Sequence, residues 1–330
     1  MKRLTVTLLL LCGMMIPAAL WAAEEQPAAP AKRIDLKLTS KYIASEWTNR
    51  KEFPDSVTFA YYNVYCLKAL GKGVSAEQKK KIITFLKSCQ RQDGGFAPDP
   101  AYAQRSNIVF TFYALKTLSL LDSLDAIDRN KLVAHLKPLV QADGGIKGVN
   151  RPGEKADLAT TYYGLEALDL LKAPELLHRD KTVAFVQSYR EKGQGFGRMP
   201  GKPSMPLSTM MGVRSLLLLN ALKETDRQEI IAHIKTTRYS GLVKDRKYPD
   251  LPTVEDMAAT LETMTDLSAM GMLDLPAIHT FIESLYIPEN GGFGPQPGYG
   301  TTPPSTYYGI VCLVKLGQIK DPLLKTKTVR

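Results

Sequence analysis

The sequence predicts an all-α protein built from repeated helix–turn–helix units, and three observations carry that prediction. Glycine turns recur at Gly94-Gly95-Phe96, Gly144-Gly145-Ile146, Gly195-Phe196-Gly197, Gly241-Leu242 and Gly291-Gly292-Phe293, with a step of 50 residues from Gly95 to Gly145 and again from Gly145 to Gly195. Threonine follows on the same beat at Thr111, Thr161, Thr209, Thr260 and Thr306, with Ala60 holding the place in a first copy. Leucine stands seven residues later in all six copies (Leu67, Leu118, Leu168, Leu216, Leu267, Leu313), and Val64, Leu115, Leu165, Val213, Met264 and Ile310 stand four residues later. Positions 0, 4 and 7 share one helical face, so each copy reads as an amphipathic helix with the same buried stripe. No copy shows the alternation of a strand.

Taken in order, the chain opens on a segment that reads as a secretory signal, residues 1–22. Lys2 and Arg3 precede an apolar run broken by Pro17, and small residues lead to a cleavage point near Ala22. Export across the cytoplasmic membrane is therefore expected, in the periplasm or outside, with an uncleaved anchor as the alternative. Residues 23–39 form an Ala/Pro-rich linker, residues 40–320 hold the repeats, and residues 321–330 form a basic tail. Each glycine turn follows a further helical segment, at 76–89, 127–140, 180–189, 226–237 and 276–285. Ser75, Asp128 and Asp226 stand near the starts of such segments as N-caps.

A formal charge of +10 could suggest nucleic acid. The basic residues are instead scattered, with one short run at Lys79-Lys80-Lys81, so a solvated surface is the reading and no nucleic-acid partner is expected. Beyond the signal only Cys66, Cys89 and Cys312 remain, widely spaced and odd in number. They read as buried thiols, with a single bridge as the alternative.

A helix pair of this size cannot bury a core alone, but stacked pairs can. An open solenoid and a closed ring both satisfy that rule. If positions 0, 4 and 7 face the partner helices, positions −1, 2 and 6 face the other way. These are Phe59, Tyr62 and Cys66; Phe110, Tyr113 and Thr117; Thr160, Tyr163 and Ala167; Ser208, Met211 and Ser215; Ala259, Glu262 and Asp266; and Ser305, Tyr308 and Cys312. A solvated face would carry Lys and Glu, whereas this one suits the lining of a concave pocket for an apolar small molecule or a peptide segment. The alternative is that the aromatics fill the centre of the array.

SCQRQDGGF at 88–96, QADGG at 141–145, GQGFG at 193–197 and PENGGFGPQPG at 288–298 resemble the prenyltransferase and squalene-cyclase repeat family. The likeness is strongest to the β subunit of Rab geranylgeranyltransferase (protein geranylgeranyltransferase type II), and it runs from about Ser40 to Gly317. It implies a single α/α toroid with six inner helices around a funnel and six outer ones. It also implies a catalytic zinc held by Asp, Cys and His, which activates a thiol, and a helical α subunit as partner.

In this chain the three zinc positions are Asp256, Ala258 and Ser305, so Asp256 alone is retained and no zinc or other cofactor is expected. His135, His178, His233 and His279 fall on outer helices or loops and replace none of them. The diphosphate pocket of the family is altered as well: Met205 takes a His position, and Arg246 and Lys247 are shifted by the insertion around Pro249 and Pro252. An α-subunit-like partner is not evident. The cyclase branch protonates its substrate with a DxDD motif, for which Thr253-Val254-Glu255-Asp256 is a weak counterpart.

Asp256 and Asp157 each lie four residues before the threonine column, as N-caps or as part of an acidic wall with Glu262 and Asp266. Glu262 and Asp266 share a helical face, so their mutual repulsion would raise one carboxyl. Asp256, Glu262 and Asp266 are the candidate catalytic residues, as general acids or cation ligands. The expectation is a binding toroid with an aromatic funnel and no zinc-dependent protein prenylation. The alternative is a prenyl or terpenoid transferase with a metal-free or rebuilt site, with a terpene cyclase third.

Overall fold

The computed structural model describes residues 33–48, 54–102, 105–241 and 252–323, all within the compact unit Lys32–Arg330. The expected signal, most of the linker, Arg246, Lys247, Pro249 and the end of the basic tail lie outside the described residues. Six helices form an inner layer: α2 (Val57–Ala69), α4 (Ile108–Leu120), α6 (Leu158–Leu170), α8 (Pro206–Leu218), α10 (Val254–Asp266) and α12 (Pro303–Lys315). Between them run α1 (Leu36–Tyr42), α3 (Ala76–Cys89), α5 (Arg129–Leu136), α7 (Arg179–Gln187), α9 (Glu224–Lys235) and α11 (Leu275–Leu285) as the outer layer.

Each inner helix packs on the next, and α12 packs back on α2, so the array closes into a ring. Closure also occurs outside. At Gly291 (φ +85°) a Cβ would lie 2.6 Å from the Leu38 carbonyl carbon of α1, so only glycine lets the last turn meet the first helix. Beside it the Tyr286 hydroxyl donates to the Asp35 carbonyl at 3.3 Å.

The threonine column has a specific cause. Thr111, Thr161, Thr209 and Thr306 each accept a hydrogen bond through Oγ1 from the backbone N–H that ends a glycine turn, those of Phe96, Ile146, Phe196 and Phe293, at 3.0–3.1 Å. These donors are buried, and leaving one unpaired costs about 1–3 kcal/mol. Three residues on, Gly309 leaves room for the Phe293 ring, since a Cβ there would come within 2.6 Å of it. Position 0 satisfies the turn and position 3 packs under its hydrophobic residue.

A second column was not anticipated. Arg129, Arg179 and Arg227 at the starts of outer helices donate through Nε to the carbonyls of Leu171, Leu219 and Leu267, at 2.9, 3.0 and 3.0 Å. Those carbonyls end the next inner helices, where a cation satisfies orphan acceptors and opposes the helix dipole.

The structure differs from the sequence expectation in four details. Three of the inner helices, α2, α4 and α6, are scarcely amphipathic, unlike α10: α2 is buried on almost every residue, because it has neighbours on both sides, the outer layer behind and side chains in front. Asp226 is not a cap but lies inside α9, where it accepts from Gln187 at 2.9 Å and pairs with Arg190 at 3.3 Å. Asp157 does cap α6 in a capping box with Thr160, whereas α10 is capped by Thr253, leaving Asp256 in the first turn. The last glycine turn also carries a short antiparallel pair, Tyr286–Ile287 with Gly292–Phe293. Ser75 and Asp128 cap α3 and α5 as expected, and Cys66, Cys89 and Cys312 are buried free thiols.

Candidate functional site

The inner helices surround a cavity of about 110 Å³ whose wall is shared between aromatic and charged side chains. Tyr61, Phe112, Tyr113, Tyr162, Tyr163, Tyr307 and Tyr308 contribute rings from α2, α4, α6 and α12. The rings also pack on one another. Tyr62 stacks on Tyr307 with centroids 4.2 Å apart and planes 16° from parallel, and Tyr307 meets Tyr308 edge-on at 5.0 Å. Burial pushes the phenols of Tyr61, Tyr113, Tyr162 and Tyr307 above the ordinary tyrosine range, so this wall stays uncharged. The pocket and the filled centre are thus both present: a tyrosine cluster occupies much of the middle and leaves room for a compact group.

The rest of the wall is a chain of charges running from helix to helix. Lys116 of α4 pairs with Glu166 of α6 at 3.0 Å, Glu166 with Arg214 of α8 at 3.0 Å, and Arg214 with Asp266 of α10 at 2.8 Å. Signs alternate, so each interior charge has an opposite neighbour. Burial alone would raise the Glu166 carboxyl, but Lys116 and Arg214 hold it below the usual carboxylate range. Asp266 is raised by its burial despite Arg214. Glu262 is raised by burial too, and Asp266 adds to the rise against the pull of Lys315, Arg214 and Lys116. Lys315 itself pairs with Asp321 at 3.2 Å, just before Leu323, which lines the cavity and reaches solvent.

Of the residues expected on the wall, Tyr113, Tyr163, Met211, Ala259, Glu262, Asp266 and Tyr308 are there. Tyr62 belongs to the ring cluster behind it. Phe59, Phe110, Thr160, Ser208 and Ser305 are off the wall: Phe110 borders a separate hollow with Arg105 and Arg151, Thr160 closes the capping box of α6, and the Ser305 hydroxyl is held at 2.7 Å by that of Thr302. Asp256 is not on the wall either, and its neighbour Glu255 is. The reason is rotational. At about 100° per residue the direction opposite positions 0, 4 and 7 is shared by −2, 2, 5 and 9, so the set −1, 2, 6 is turned toward a neighbouring helix, except on α10, where Ala259, Glu262 and Asp266 all line the cavity. Only position 2 is common to both.

The residues missed are those at positions 1 and 5, Tyr61, Phe112, Tyr162 and Tyr307, and Lys116, Glu166 and Arg214. A signal for them existed. Lys116 and Arg214 are the only charged residues in α4 and α8, and a lone charge in a helix buried all round needs a partner.

The positions that the resemblance assigns to zinc are filled by one carboxylate, one methyl group and one serine already bonded to Thr302. That donor set does not fit a zinc ion. Among the described residues no group of three or more His, Cys, Asp or Glu stands close enough to hold a metal.

The Prenyltransferase alpha-alpha toroid domain family matches residues 36–326, and the chain belongs to that family. Among solved structures it is similar to the Candida albicans protein geranylgeranyltransferase-I complexed with GGPP, at 16% identity and a TM-score of 0.73, over 88% of this chain and 93% of that one. It is also similar to a type II terpene cyclase from Scytonema in complex with geranylgeranyl dihydroxybenzoate, at 14% identity and a TM-score of 0.60, over 86% of this chain and 96% of that one. At such identities the likeness establishes the shared toroid and not a shared reaction. No curated protein matches the chain.

Proposed function

We propose that the protein is an exported binding toroid that seats an apolar small molecule, isoprenoid-like in character, against the tyrosine wall of its central cavity, without zinc-dependent protein prenylation. The observation that carries this reading is the cavity itself, where six tyrosines and Phe112 from four of the inner helices form one side of the wall. Large rigid rings offer much apolar contact with little side-chain entropy to lose. The small free volume means that a compact end of the ligand seats first and that rings shift for anything longer.

The loss of donors at Ala258 and Ser305 supports binding over prenyl transfer, because the thiolate chemistry of the family depends on the metal. Export, with cleavage near Ala22, would separate the protein from cytosolic prenylation substrates. A peptide segment is the other occupant that the cavity could take.

Native mass spectrometry of the gently purified protein tests the proposal. A co-purifying apolar molecule is the expected result, and prenols should raise the melting temperature by mass action. A protein that carries nothing and shifts with neither prenols nor prenyl diphosphates would overturn it. Stoichiometric zinc by elemental analysis would overturn the metal-free part.

One observation favours a second reading, a prenyl or terpenoid transferase with a rebuilt site. Glu262 is a carboxyl raised by burial, facing an aromatic cavity, and a raised carboxyl holds a proton more readily than an ordinary one and can deliver it. Consumption of geranylgeranyl diphosphate, abolished in Glu262→Gln, would move the conclusion to that reading.

A further inference from the structure

The charges on the cavity wall do not cancel. Seven charged side chains line it: Lys116, Arg214 and Lys315, and Glu166, Glu255, Glu262 and Asp266. The Lys116–Glu166–Arg214–Asp266 chain holds two of each sign and is neutral as a unit. Lys315 is neutralised by Asp321. Glu255 and Glu262 are left over, and among the described residues neither makes an ion pair. The chain as a whole carries +10, so the cavity has a sign opposite to the protein around it.

The two carboxylates sit among rings. Glu255 shares the cavity wall with the Tyr308 ring. Glu262 belongs to α10, whose facing neighbours across the cavity include Tyr61 and Tyr307. An aromatic face is negative and attracts a cation, most strongly where water is excluded. The wall already holds one such contact, the Lys116 ammonium 5.5 Å from the centre of the Phe112 ring.

We infer that the ligand carries an organic cation, an alkylammonium-type head seated between the tyrosine rings and the Glu255 and Glu262 carboxylates. This rests on the binding reading above and specifies the chemistry of the ligand. The fit is physical. A weakly hydrated, substituted ammonium loses little on leaving water, gains ring faces on several sides, and supplies the charge that two half-buried carboxylates lack. An anionic head, such as a diphosphate, would meet the same carboxylates as like charges. The paired Lys116, Arg214 and Lys315 have their own counter-ions and give it no free cation on the wall.

The test is a head-group series on one tail, measured by isothermal titration calorimetry on the purified protein: hexyltrimethylammonium, hexanol and hexyl sulfate. The cation should bind about tenfold more tightly than the alcohol, and the sulfate more weakly than the alcohol. In the Glu255→Gln/Glu262→Gln double variant the preference for the cation should disappear while hexanol binding is kept. Hexanol binding as tightly as the cation in the wild-type protein, or a preference for the sulfate, would overturn the cation inference and leave the apolar cavity standing. Binding of none of the three would overturn both. A cation preference that survives intact in a folded double variant would also refute the role of these two carboxylates.

Discussion

Replacing Glu166 by Gln should cost the protein about 3 kcal/mol, and most of that cost should come from Lys116. The Glu166 side chain is 4% exposed and bridges Lys116, 13% exposed, to Arg214, 40% exposed. Removing one partner of a buried pair costs about 3–5 kcal/mol, because the other charge stays behind unpaired. Arg214 would lose little, since it is partly solvated and keeps Asp266 at 2.8 Å. Lys116 would keep the Phe112 ring and the more distant Glu262 carboxyl. With an unfolding entropy of about 2.1 cal/mol/K per residue over about 290 residues, 3 kcal/mol corresponds to a fall in Tm of about 5 °C.

Thermal melts followed by circular dichroism at neutral pH read this directly. Lys116→Met/Glu166→Leu removes both charges together and should recover most of the loss, as buried pairs replaced by apolar groups commonly do. The pH dependence fixes the sign. The folded carboxyl lies below its unfolded range, so its contribution is complete above about pH 4.3 and is lost as pH falls through the lower folded value. The difference between wild type and Glu166→Gln should shrink accordingly in acid. A Tm within about 1 °C of wild type at neutral pH, or a double variant less stable than Glu166→Gln, would refute the reasoning.

Glu262 should behave in the opposite sense. Its folded carboxyl is raised, so the folded state binds the proton more tightly than the unfolded one, and stability falls as pH rises through the folded value. Glu262→Gln should therefore melt at or above wild type at pH 8 and lose that advantage at pH 4, as a pair of melting curves would record. Thr306→Val removes the acceptor for the buried Phe293 N–H and should cost about 1–3 kcal/mol, with Thr306→Ser much closer to wild type and hydrogen exchange at Phe293 accelerated only in the valine variant. Gly291→Ala forces a Cβ against the backbone of Leu38 at positive φ and should open the outer closure. Hydrogen exchange of α1 should rise more than that of α6, at a cost of about 1–3 kcal/mol.

The repeat was legible because each copy solves the same local problem. A glycine turn leaves a buried N–H, and the inner helix supplies a threonine to accept it, 15 residues on in two copies and 13 in two others. Such a bond needs one residue type at one place, so it survives as a column in the sequence. The first copy has Ala60 because no glycine turn precedes it. Ring closure was not legible in the periodicity itself. It depends on how far each unit rotates from the last, and no single residue records that angle. The contacts that close the outer layer, Gly291 against Leu38 and Tyr286 against Asp35, join residues about 250 apart in the chain.

The site was half legible for a related reason. Amphipathicity locates a face by contrast between a buried and a solvated side, and α2, α4 and α6, which supply most of the rings, have almost none. With the contrast gone, a rotation of less than one residue was enough to exchange Tyr61, Phe112, Tyr162 and Tyr307 for Phe59, Phe110, Thr160 and Ser305. The charges carry better information than the apolar pattern here. Inside a ring of buried helices an ionised side chain persists only with a partner, so Lys116, Glu166 and Arg214, each one unit apart in sequence and alternating in sign, imply mutual contact across consecutive helices. That contact in turn sets the rotation of each helix and so identifies the cavity wall. By the same logic a carboxylate on that wall that makes no ion pair among the described residues, as at Glu262, is where a cationic group of a ligand would find its partner.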